Sequence, residues 1–473
     1  MVRVRFAPSP TGYLHLGNIR TALFNFLFAR HHGGKFIFRV EDTDRERSRP
    51  EFEKAQIDDL LWMGVVPDEG PGFGGDFGPY RQSERLGIYR DAIRKLIDQG
   101  HAYDCYVTEE EVEEMRQNAR AEKRSFHFDN RGRSFSQGEI AQRKAKGIRP
   151  AVRFKIENPH LEVHDLIRGK VSFNLDDMVG DFIIQRADGM PTFHLVVCVD
   201  DARMEITHVI RGEDHLSNTP KHLLLFQALG AESPQFGHLP LVQGEGGQTL
   251  SKRLDSVSMR AFRGKGYLPH ALANYMALLG WSPGNDQEIF TLEELQRAFD
   301  LGRVGRSSAI FDPQKLDWMN GEHLRRLSGE EFAESALRYL EEQGSMDLNP
   351  GLLKNVLAIF QDKIERFDQL PEALKILQDE FDYEDEALMK ADESKMIFRA
   401  ALEILDEWSK EPSDLYQGLV EELKKKVPAK GKSLFHPIRM AVTGRVHGPE
   451  LKRVIPVLGR DKIKGRFRRA LQI

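Results

Sequence analysis

Residues 5–18 read RFAPSPTGYLHLGN, and this stretch decides the fold of the chain. The residues up to Phe6 alternate like a β-strand, two prolines and a glycine then prevent the strand from continuing, and an apolar helical pattern starts near Asn18. A strand, a Pro/Gly loop and a helix N-terminus in this order favour an anion site, because unpaired N–H groups and the helix dipole point outward together. His15 can donate to phosphate oxygens there, and Gly17 leaves room for a nucleotide.

A second, basic loop lies far downstream, where residues 249–253 read TLSKR. Lys252, beside the hydroxyl of Ser251 and the guanidinium of Arg253, can neutralise charge that develops on a triphosphate. Taken singly, His15 is explained better as a surface helix cap, and the basic loop as a solvated turn. The two segments become informative together and in this order.

Together the two segments resemble the two signatures of class I aminoacyl-tRNA synthetases. Five stretches are similar to glutamyl-tRNA synthetases of the bacterial type, and the similarity runs from the first strand almost to the C-terminus. They are residues 5–12 (RFAPSPTG), 39–45 (RVEDTDR), 80–85 (YRQSER), 311–321 (FDPQKLDWMNG) and 434–444 (LFHPIRMAVTG).

The length of 473 residues is too great for a single hydrophobic core and indicates three or more domains. The net charge of −5 argues against an extended basic surface, although a local basic patch is compatible with RNA binding. Such a patch occupies residues 451–473, where eight lysines and arginines accompany a single aspartate. A solvated helix end and an RNA contact are both open interpretations of this stretch.

Cys105 and Cys198 are the only cysteines, so no disulfide framework is expected and a reducing compartment is favoured. The N-terminus lacks the pattern of a signal peptide, and no stretch of about 20 apolar residues indicates a membrane span. We therefore expect a cytoplasmic protein. One cysteine and His127 cannot supply the four ligands of a structural zinc site, so no zinc is expected.

The pattern of elements predicts an α/β nucleotide-binding part followed by a helical part. Strand and helix alternate at the start, as in a doubly wound parallel sheet whose ligands lie at the carboxyl ends of the strands. Residues 193–199 are predicted to form another strand of this sheet, ended by Asp200 and Asp201. We predict five segments, the tRNA contacts being implied by the resemblance: 1–82, first half of a Rossmann-like catalytic domain; 83–185, inserted acceptor-end-binding domain; 186–240, second half of the catalytic domain; 241–322, stem-contact region with the Ser-Lys-Arg loop; and 323–473, helical anticodon-binding region.

The resemblance implies a two-step reaction that joins L-glutamate to the 3′ end of tRNA(Glu) through glutamyl-adenylate, with ATP and Mg²⁺ and by a monomer. Both steps depend on positioning and charge stabilisation, so no covalent nucleophile is required. The family positions for catalysis are His15, Ser251 and Lys252. Those for ATP are His15, Gly17, Asn18, Asp214, Val242, Ser251, Lys252 and Arg253.

A small dicarboxylate with an ammonium group needs a cation for each carboxylate and an acid for the ammonium. Arg5, Arg211 and Glu41 satisfy this count. The full set of family positions for glutamate is Arg5, Ala7, Ser9, Glu41, Phe193, Val197 and Arg211. Two residues depart from the family pattern: Phe193 stands where relatives often have tyrosine, and Thr249 replaces the first lysine of the basic loop.

Selection of the tRNA is expected to involve an arginine that, in this family, reads the third anticodon base. Arg366 matches that position, and a guanidinium that donates to a base edge discriminates because a mismatched edge leaves its donors unpaired. The alternative is a helix-surface arginine paired with Glu365 or Asp362.

Four other functions were weighed against this one. A non-catalytic tRNA-binding paralogue is favoured by Thr249, and a non-discriminating enzyme would also charge tRNA(Gln). A truncated relative that glutamylates a modified base would lack the 148 residues that follow Arg325. A small-molecule nucleotidyltransferase would explain neither the insertion nor the helical C-terminal region.

Overall fold

The computed structural model describes residues 1–175, 180–248, 257–344, 356–378, 381–409 and 411–473. The chain forms two compact units, one of Met1–Ala261 with Leu272–Asp312 and one of Phe262–Ala271 with Pro313–Ile473. Among the described residues, no helix combines the length and apolar character that a membrane crossing requires. The five-segment division is finer than these two units and stays a prediction.

The elements of the first unit alternate between strands and helices. Its strands are β1 (Arg3–Phe6), β2 (Lys35–Phe38), β3 (Ala102–Cys105), β4 (Ala151–Phe154), β5 (His160–Asp165), β6 (Gly169–Asn174), β7 (Phe182–Gln185), β8 (His208–Gly212), β9 (Gln235–Leu239), β10 (Val242–Gln243) and β11 (Ala309–Ile310). Its helices are α1 (Leu16–His31), α2 (Pro50–Trp62), α3 (Leu86–Asp98), α4 (Glu109–Ala121), α5 (Gln137–Ala145), α6 (Phe193–Arg203), α7 (Thr219–Leu229) and α10 (Leu292–Ala298), while α8 (Met259–Gly264) and α9 (Pro269–Leu278) cross between the units.

A parallel four-stranded sheet in the order β2-β1-β8-β9 carries the site. The strands are almost wholly buried, as expected for a parallel sheet covered on both faces. The register places Arg5 beside Ile37 and Arg211 beside His238. The predicted doubly wound α/β fold is confirmed, and the carboxyl ends of these four strands meet at one edge.

Helix α1 follows β1 directly after the Pro/Gly loop, as predicted. A capping box closes its first turn. The ring of His15 accepts from the helix backbone, and the side chain of Asn18 accepts from the backbone N–H of His15. Most of the helix is buried, including a run of phenylalanines between residues 24 and 28. The cap and the buried face together fix the position of the helix start against the sheet.

The prediction of a strand at residues 193–199 is wrong, because these residues begin helix α6. Residues 195–199 are all apolar and are buried on every face of the helix, so this run shows neither a period of 2 nor one of 3.6. A short apolar run of this kind cannot be assigned to a strand or a helix by its pattern. Asp200 and Asp201 accordingly lie in the last turns of a helix and are buried.

A separate group of elements comes between β2 and β8 along the chain. Strands β3, β4 and β7 form an antiparallel sheet, and β5 and β6 form a hairpin. Both α4 and α5 begin with capping boxes, at Thr108 and Ser136. The first strand of the hairpin ends at Asp165, whose buried side chain binds His238 of the parallel sheet.

The second unit is helical, and no strand occurs among its described residues. It contains α11 (Pro313–Arg326), α12 (Gly329–Glu342), α13 (Leu370–Leu374), α14 (Glu386–Lys390), α15 (Asp392–Asp406), α16 (Leu415–Lys426), α17 (Lys432–Thr443) and α18 (Leu451–Ala470) around one apolar core. The predicted helical C-terminal region is confirmed.

The basic C-terminal stretch forms α18, and several of its cations face the protein. Arg466 is buried and donates to the carbonyl groups of Val442 and Gln378, while Lys464 pairs with Asp406. These residues therefore stabilise the helical unit, and the stretch is not simply a solvated helix end.

Candidate active site

A cavity of about 820 Å³ opens at the carboxyl ends of the four parallel strands. It is lined by the loop after β1, the start of α1, the residue Glu41 after β2, the first turns of α6, and the ends of β8 and β9. All the predicted glutamate positions line it, namely Arg5, Ala7, Ser9, Glu41, Phe193, Val197 and Arg211. The predicted ATP positions His15, Gly17, Asn18, Asp214 and Val242 line it as well, whereas Thr249, Ser251, Lys252 and Arg253 lie outside the described residues.

His15 is oriented by the helix that it caps. Its Nδ1 accepts the N–H of Gly17 at 3.2 Å, and the Asn18 side chain accepts the N–H of His15 at 3.4 Å. The expected anion site thus has two of its N–H groups already bonded within the cap. Because Nδ1 is an acceptor, the neutral imidazole carries its proton on Nε2. Burial lowers the pKa of His15 although Asp214 opposes it, so the ring is a neutral donor.

One wall of the cavity carries Arg5 in a balanced network of charges. Asp201 accepts from Nε of Arg5 at 3.1 Å and from Arg39 at 2.6 Å, and Arg39 also donates to Glu41 at 3.2 Å. Burial alone would lower the pKa of Arg39, but Asp201, Asp200 and Glu41 together raise it. Burial raises the pKa of Glu41 against the opposing charges of Arg39 and Arg5.

A neighbouring wall, at the end of strand β8 beside β1, carries Arg211, whose guanidinium is held by neutral groups. It donates to His238 Nε2 at 3.0 Å, His222 Nδ1 at 3.2 Å and Thr219 Oγ1 at 2.9 Å. A fourth bond reaches the carbonyl of His215 at 3.2 Å. Among the described residues no carboxylate forms an ion pair with Arg211. Burial lowers its pKa to about 10, which leaves the side chain charged at neutral pH.

Phe193 lies at the start of α6 between these two walls. Its ring centroid is 5.7 Å from that of His215 and 5.9 Å from that of His222. The residue therefore closes the cavity with an apolar surface where a tyrosine would add a hydroxyl.

The sequence did not reveal the residues that hold the two arginines. These residues are Asp201, His222 and His238, and they are buried and polar, as is Arg39, which shares Asp201 with Arg5. The available signal was a charged or imidazole side chain inside an otherwise apolar run, such as the histidine in the sequence TPKHLLLF of α7. Arg20 on α1 was missed in the same way; it lines the cavity and donates to the Pro240 carbonyl at 2.7 Å.

In the second unit, Arg366 is held by two acids other than those expected. It donates to both carboxylate oxygens of Asp368, at 3.0 and 3.4 Å, and it pairs with Asp317. Burial opposes these acids, yet they raise its pKa. The alternative pairing with Glu365 or Asp362 is wrong, because the ion-pair partners of Arg366 are Asp317 and Asp368, and Asp362 pairs with Arg453.

A second cavity of about 510 Å³ lies within the helical unit. Its walls carry four basic or imidazole side chains and two aromatic rings: Lys432, His436, Arg439, Lys452, Tyr416 and Phe435. Cations beside aromatic faces are the chemistry that binds single-stranded nucleic acid.

Comparison with known proteins agrees with this geometry. The chain matches the family model "tRNA synthetases class I (E and Q), catalytic domain" over residues 1–318 and the model "Anticodon binding domain" over residues 331–471. It is 45% identical over 480 residues to a glutamate–tRNA ligase of Sulfurihydrogenibium sp., with 100% of this chain and 99% of that protein covered. The chain belongs to the glutamate–tRNA ligase family. The family resemblance of the sequence motifs is therefore confirmed.

Other members of the glutamate–tRNA ligase family are also similar to this chain over nearly its whole length. The relative from Carboxydothermus hydrogenoformans is 44% identical, with 97% of each chain covered. A crystal structure of the glutamate tRNA ligase from Elizabethkingia meningosepticum in complex with its amino acid matches with a TM-score of 0.89 at 30% identity, covering 100% of this chain and 99% of that one.

Proposed function

We propose that the chain activates L-glutamate with ATP and transfers it to the 3′ end of tRNA(Glu). A carboxylate oxygen of glutamate attacks the α-phosphorus of ATP and pyrophosphate leaves. A ribose hydroxyl of the tRNA then attacks the acyl carbon and AMP leaves. The observation that carries this proposal is the single cavity that joins two arginines and a glutamate with a histidine-capped helix N-terminus.

The arginines supply the cations that a dicarboxylate requires. Arg5 uses Nε and Nη2 on Asp201, which leaves Nη1 without a partner among the described residues. Arg211 forms no ion pair with a described carboxylate, although Asp201 and Glu41 act on its charge from a distance. Glu41 offers a carboxylate for the substrate ammonium, and an ammonium beside it would offset the burial that raises its pKa.

At the other end of the cavity, His15 would donate from Nε2 to a phosphate oxygen of ATP. Gly17 and Asn18 would lie under the ribose and base, with Val242 at the side of the base. Ser251, Lys252 and Arg253 are assigned to the phosphates by family resemblance. Charge stabilisation by fixed donors is the main means by which such a site accelerates a phosphoryl displacement.

Mg²⁺ is expected to accompany ATP. No cluster of three or more potential ligands occurs among the described histidines, cysteines, aspartates and glutamates. The exposed carboxylate of Asp214 in the cavity fits an ion that keeps most of its bonds to phosphate and water. Bound Mg²⁺ would offset triphosphate charge. The expected absence of zinc stays a prediction.

For tRNA, the helical unit offers Arg366 and the basic, aromatic second cavity. We assign Arg366 to the third anticodon base, and the second cavity supports contact with unstacked bases. We also propose that the protein acts as a monomer in the cytoplasm. Its two cysteines are free and buried, which is consistent with a reducing compartment.

Aminoacylation of tRNA(Glu) and tRNA(Gln) transcripts with labelled glutamate and labelled glutamine tests the function. The proposal expects glutamyl-tRNA(Glu) as the main product. Tight tRNA binding without any product would instead indicate a non-catalytic paralogue, and equal charging of both transcripts would indicate a non-discriminating enzyme.

A further inference from the structure

Arg211 is held in an unusual way for a buried arginine. Its guanidinium donates to two imidazole nitrogens, one on α7 and one on β9, and to one hydroxyl. All three side chains are buried, with His238 fully enclosed and His222 1% exposed. A buried arginine usually needs a carboxylate partner, because an unpaired charge in the interior is costly.

The direction of these bonds fixes the proton on each ring. A guanidinium can only donate, so His222 Nδ1 and His238 Nε2 must both be acceptors. His222 then carries its proton on Nε2 and donates to His194 Nδ1 at 3.2 Å. His238 carries its proton on Nδ1 and donates to Asp165 at 2.6 Å. Both rings are therefore neutral, with defined tautomers.

We propose that His222 and His238 are positioning residues that fix the Arg211 guanidinium while leaving its positive charge available to a carboxylate of the substrate. This inference rests on the proposed function, which places Arg211 against glutamate. An aspartate in either position would orient the arginine equally well, but it would already neutralise the charge. Neutral acceptors give orientation without neutralisation, and burial of the rings keeps them from gaining protons that would repel Arg211.

The kinetic test compares two substitutions at one ring. In His222→Asn the side-chain oxygen occupies the place of Nδ1 and still accepts from Arg211, whereas His222→Leu removes the acceptor. We expect the KM for glutamate to rise about tenfold or more in His222→Leu, about 1.4 kcal/mol, and to stay within about threefold of wild type in His222→Asn. The KM for ATP should change by less than about twofold in both variants.

His208→Leu is the matched control, because His208 lies on the same strand as Arg211 but outside the cavity. It should leave the KM for glutamate unchanged. An unchanged KM in His222→Leu would overturn the inference. So would a parallel rise in the KM for ATP, or an equal rise in the His208→Leu control.

A second measurement does not depend on activity or on the stability of a variant. Nitrogen NMR of imidazole-labelled wild-type protein at neutral pH should find His222 protonated on Nε2 and His238 on Nδ1. The opposite tautomer at either ring would contradict the network. Failure of the proposed function is distinguishable from failure of this inference. In that case the wild-type protein forms no glutamyl-tRNA, while the NMR spectra still show the assigned tautomers.

Discussion

The two walls of the catalytic cavity carry the same cation in opposite electrostatic surroundings. Arg5 is held by Asp201, which also holds Arg39, so that wall is close to neutral. Arg211 is held by His222 and His238 and keeps its charge. Both arginines are assigned to the substrate, so the residue type alone does not say how much of each charge is already balanced within the protein; the partners of each arginine decide this.

This difference has a structural origin in the two elements behind the walls. Asp201 lies in the last turns of α6 and binds both Arg5 and Arg39, which is 0% exposed. The ring of His222 comes from α7, one turn after the hydroxyl of Thr219. One helix therefore supplies charge balance, and the other supplies neutral acceptors.

Removal of the carboxylate from the balanced wall should have the largest effect. Asp201→Asn leaves Arg39 and Arg5 without their shared partner in a buried site, and a broken buried ion pair costs about 3–5 kcal/mol. Urea denaturation followed by circular dichroism should show a loss of this size. Asp188→Asn, which removes an exposed ion pair with Arg186, is the control and should cost less than about 1 kcal/mol. Equal losses in the two variants would show that the network does not stabilise the fold.

Removal of the free charge from the other wall should affect catalysis more than stability. Arg211→Gln can still donate to one imidazole but carries no charge. We expect kcat/KM for glutamate to fall at least about 100-fold, or 2.7 kcal/mol. Arg211→Lys should recover only part of this, since an ammonium lacks the planar fork. Aminoacylation with near wild-type kcat/KM for glutamate in the Gln variant would exclude Arg211 from the substrate site.

Arg366 extends the comparison to the helical unit, because like Arg5 it is bound by carboxylates and is assigned to recognition. Arg366→Gln should relax the preference for tRNA(Glu) over tRNA(Gln) by about 1–3 kcal/mol. The ratio of kcat/KM values for the two tRNAs measures this. Arg453→Gln, which breaks another ion pair of this unit, serves as the control. A drop in stability without any change in tRNA preference would make Arg366 purely structural.

The dependence of the unfolding free energy on pH should also distinguish the two walls, and it is the smallest of the expected effects. Burial lowers the pKa of His194 to about 3 and the pKa of His222 well below its usual 6.5. Below pH 6.5 the unfolded chain binds protons that the folded chain does not, so stability falls as the pH decreases from 6.5 towards 3. Burial would raise the pKa of Asp201, but Arg39 and Arg5 lower it below 3.8, so this carboxylate contributes to acid lability only at lower pH.

The charged and titratable groups that act on these two rings are Arg211, Arg5, Lys221 and His215, and Asp165 acts through His238. The unfolding free energy of the wild type, measured between pH 7.5 and 5, should decrease as the pH is lowered. His222→Asn should reduce the slope by at most about 1.4 kcal/mol per pH unit. An identical slope in the variant would show that His222 does not remain neutral in the folded protein.

Much of the cavity could be predicted from the sequence because its residues follow strand ends or cap a helix. His15 caps α1 and Glu41 follows β2, whereas Arg5 lies within β1; Arg5 and Glu41 were assigned through the family motifs that contain them. The helix α6 could not be predicted, because its uniformly apolar residues hide the helical period. The partners of Arg211 could not be predicted either, since α7 and β9 meet β8 only in the folded chain. Tertiary contacts of this kind leave no local pattern.

The central claim is that this cavity activates glutamate, and pyrophosphate exchange tests it most directly. Exchange of labelled pyrophosphate into ATP should be measured with glutamate or glutamine in the presence of tRNA(Glu). The account predicts exchange that depends on glutamate and is at least about 100-fold weaker with glutamine, because Arg211, which forms no ion pair with a described carboxylate, favours a second carboxylate over a neutral amide. No exchange with glutamate, or comparable exchange with glutamine, would contradict it.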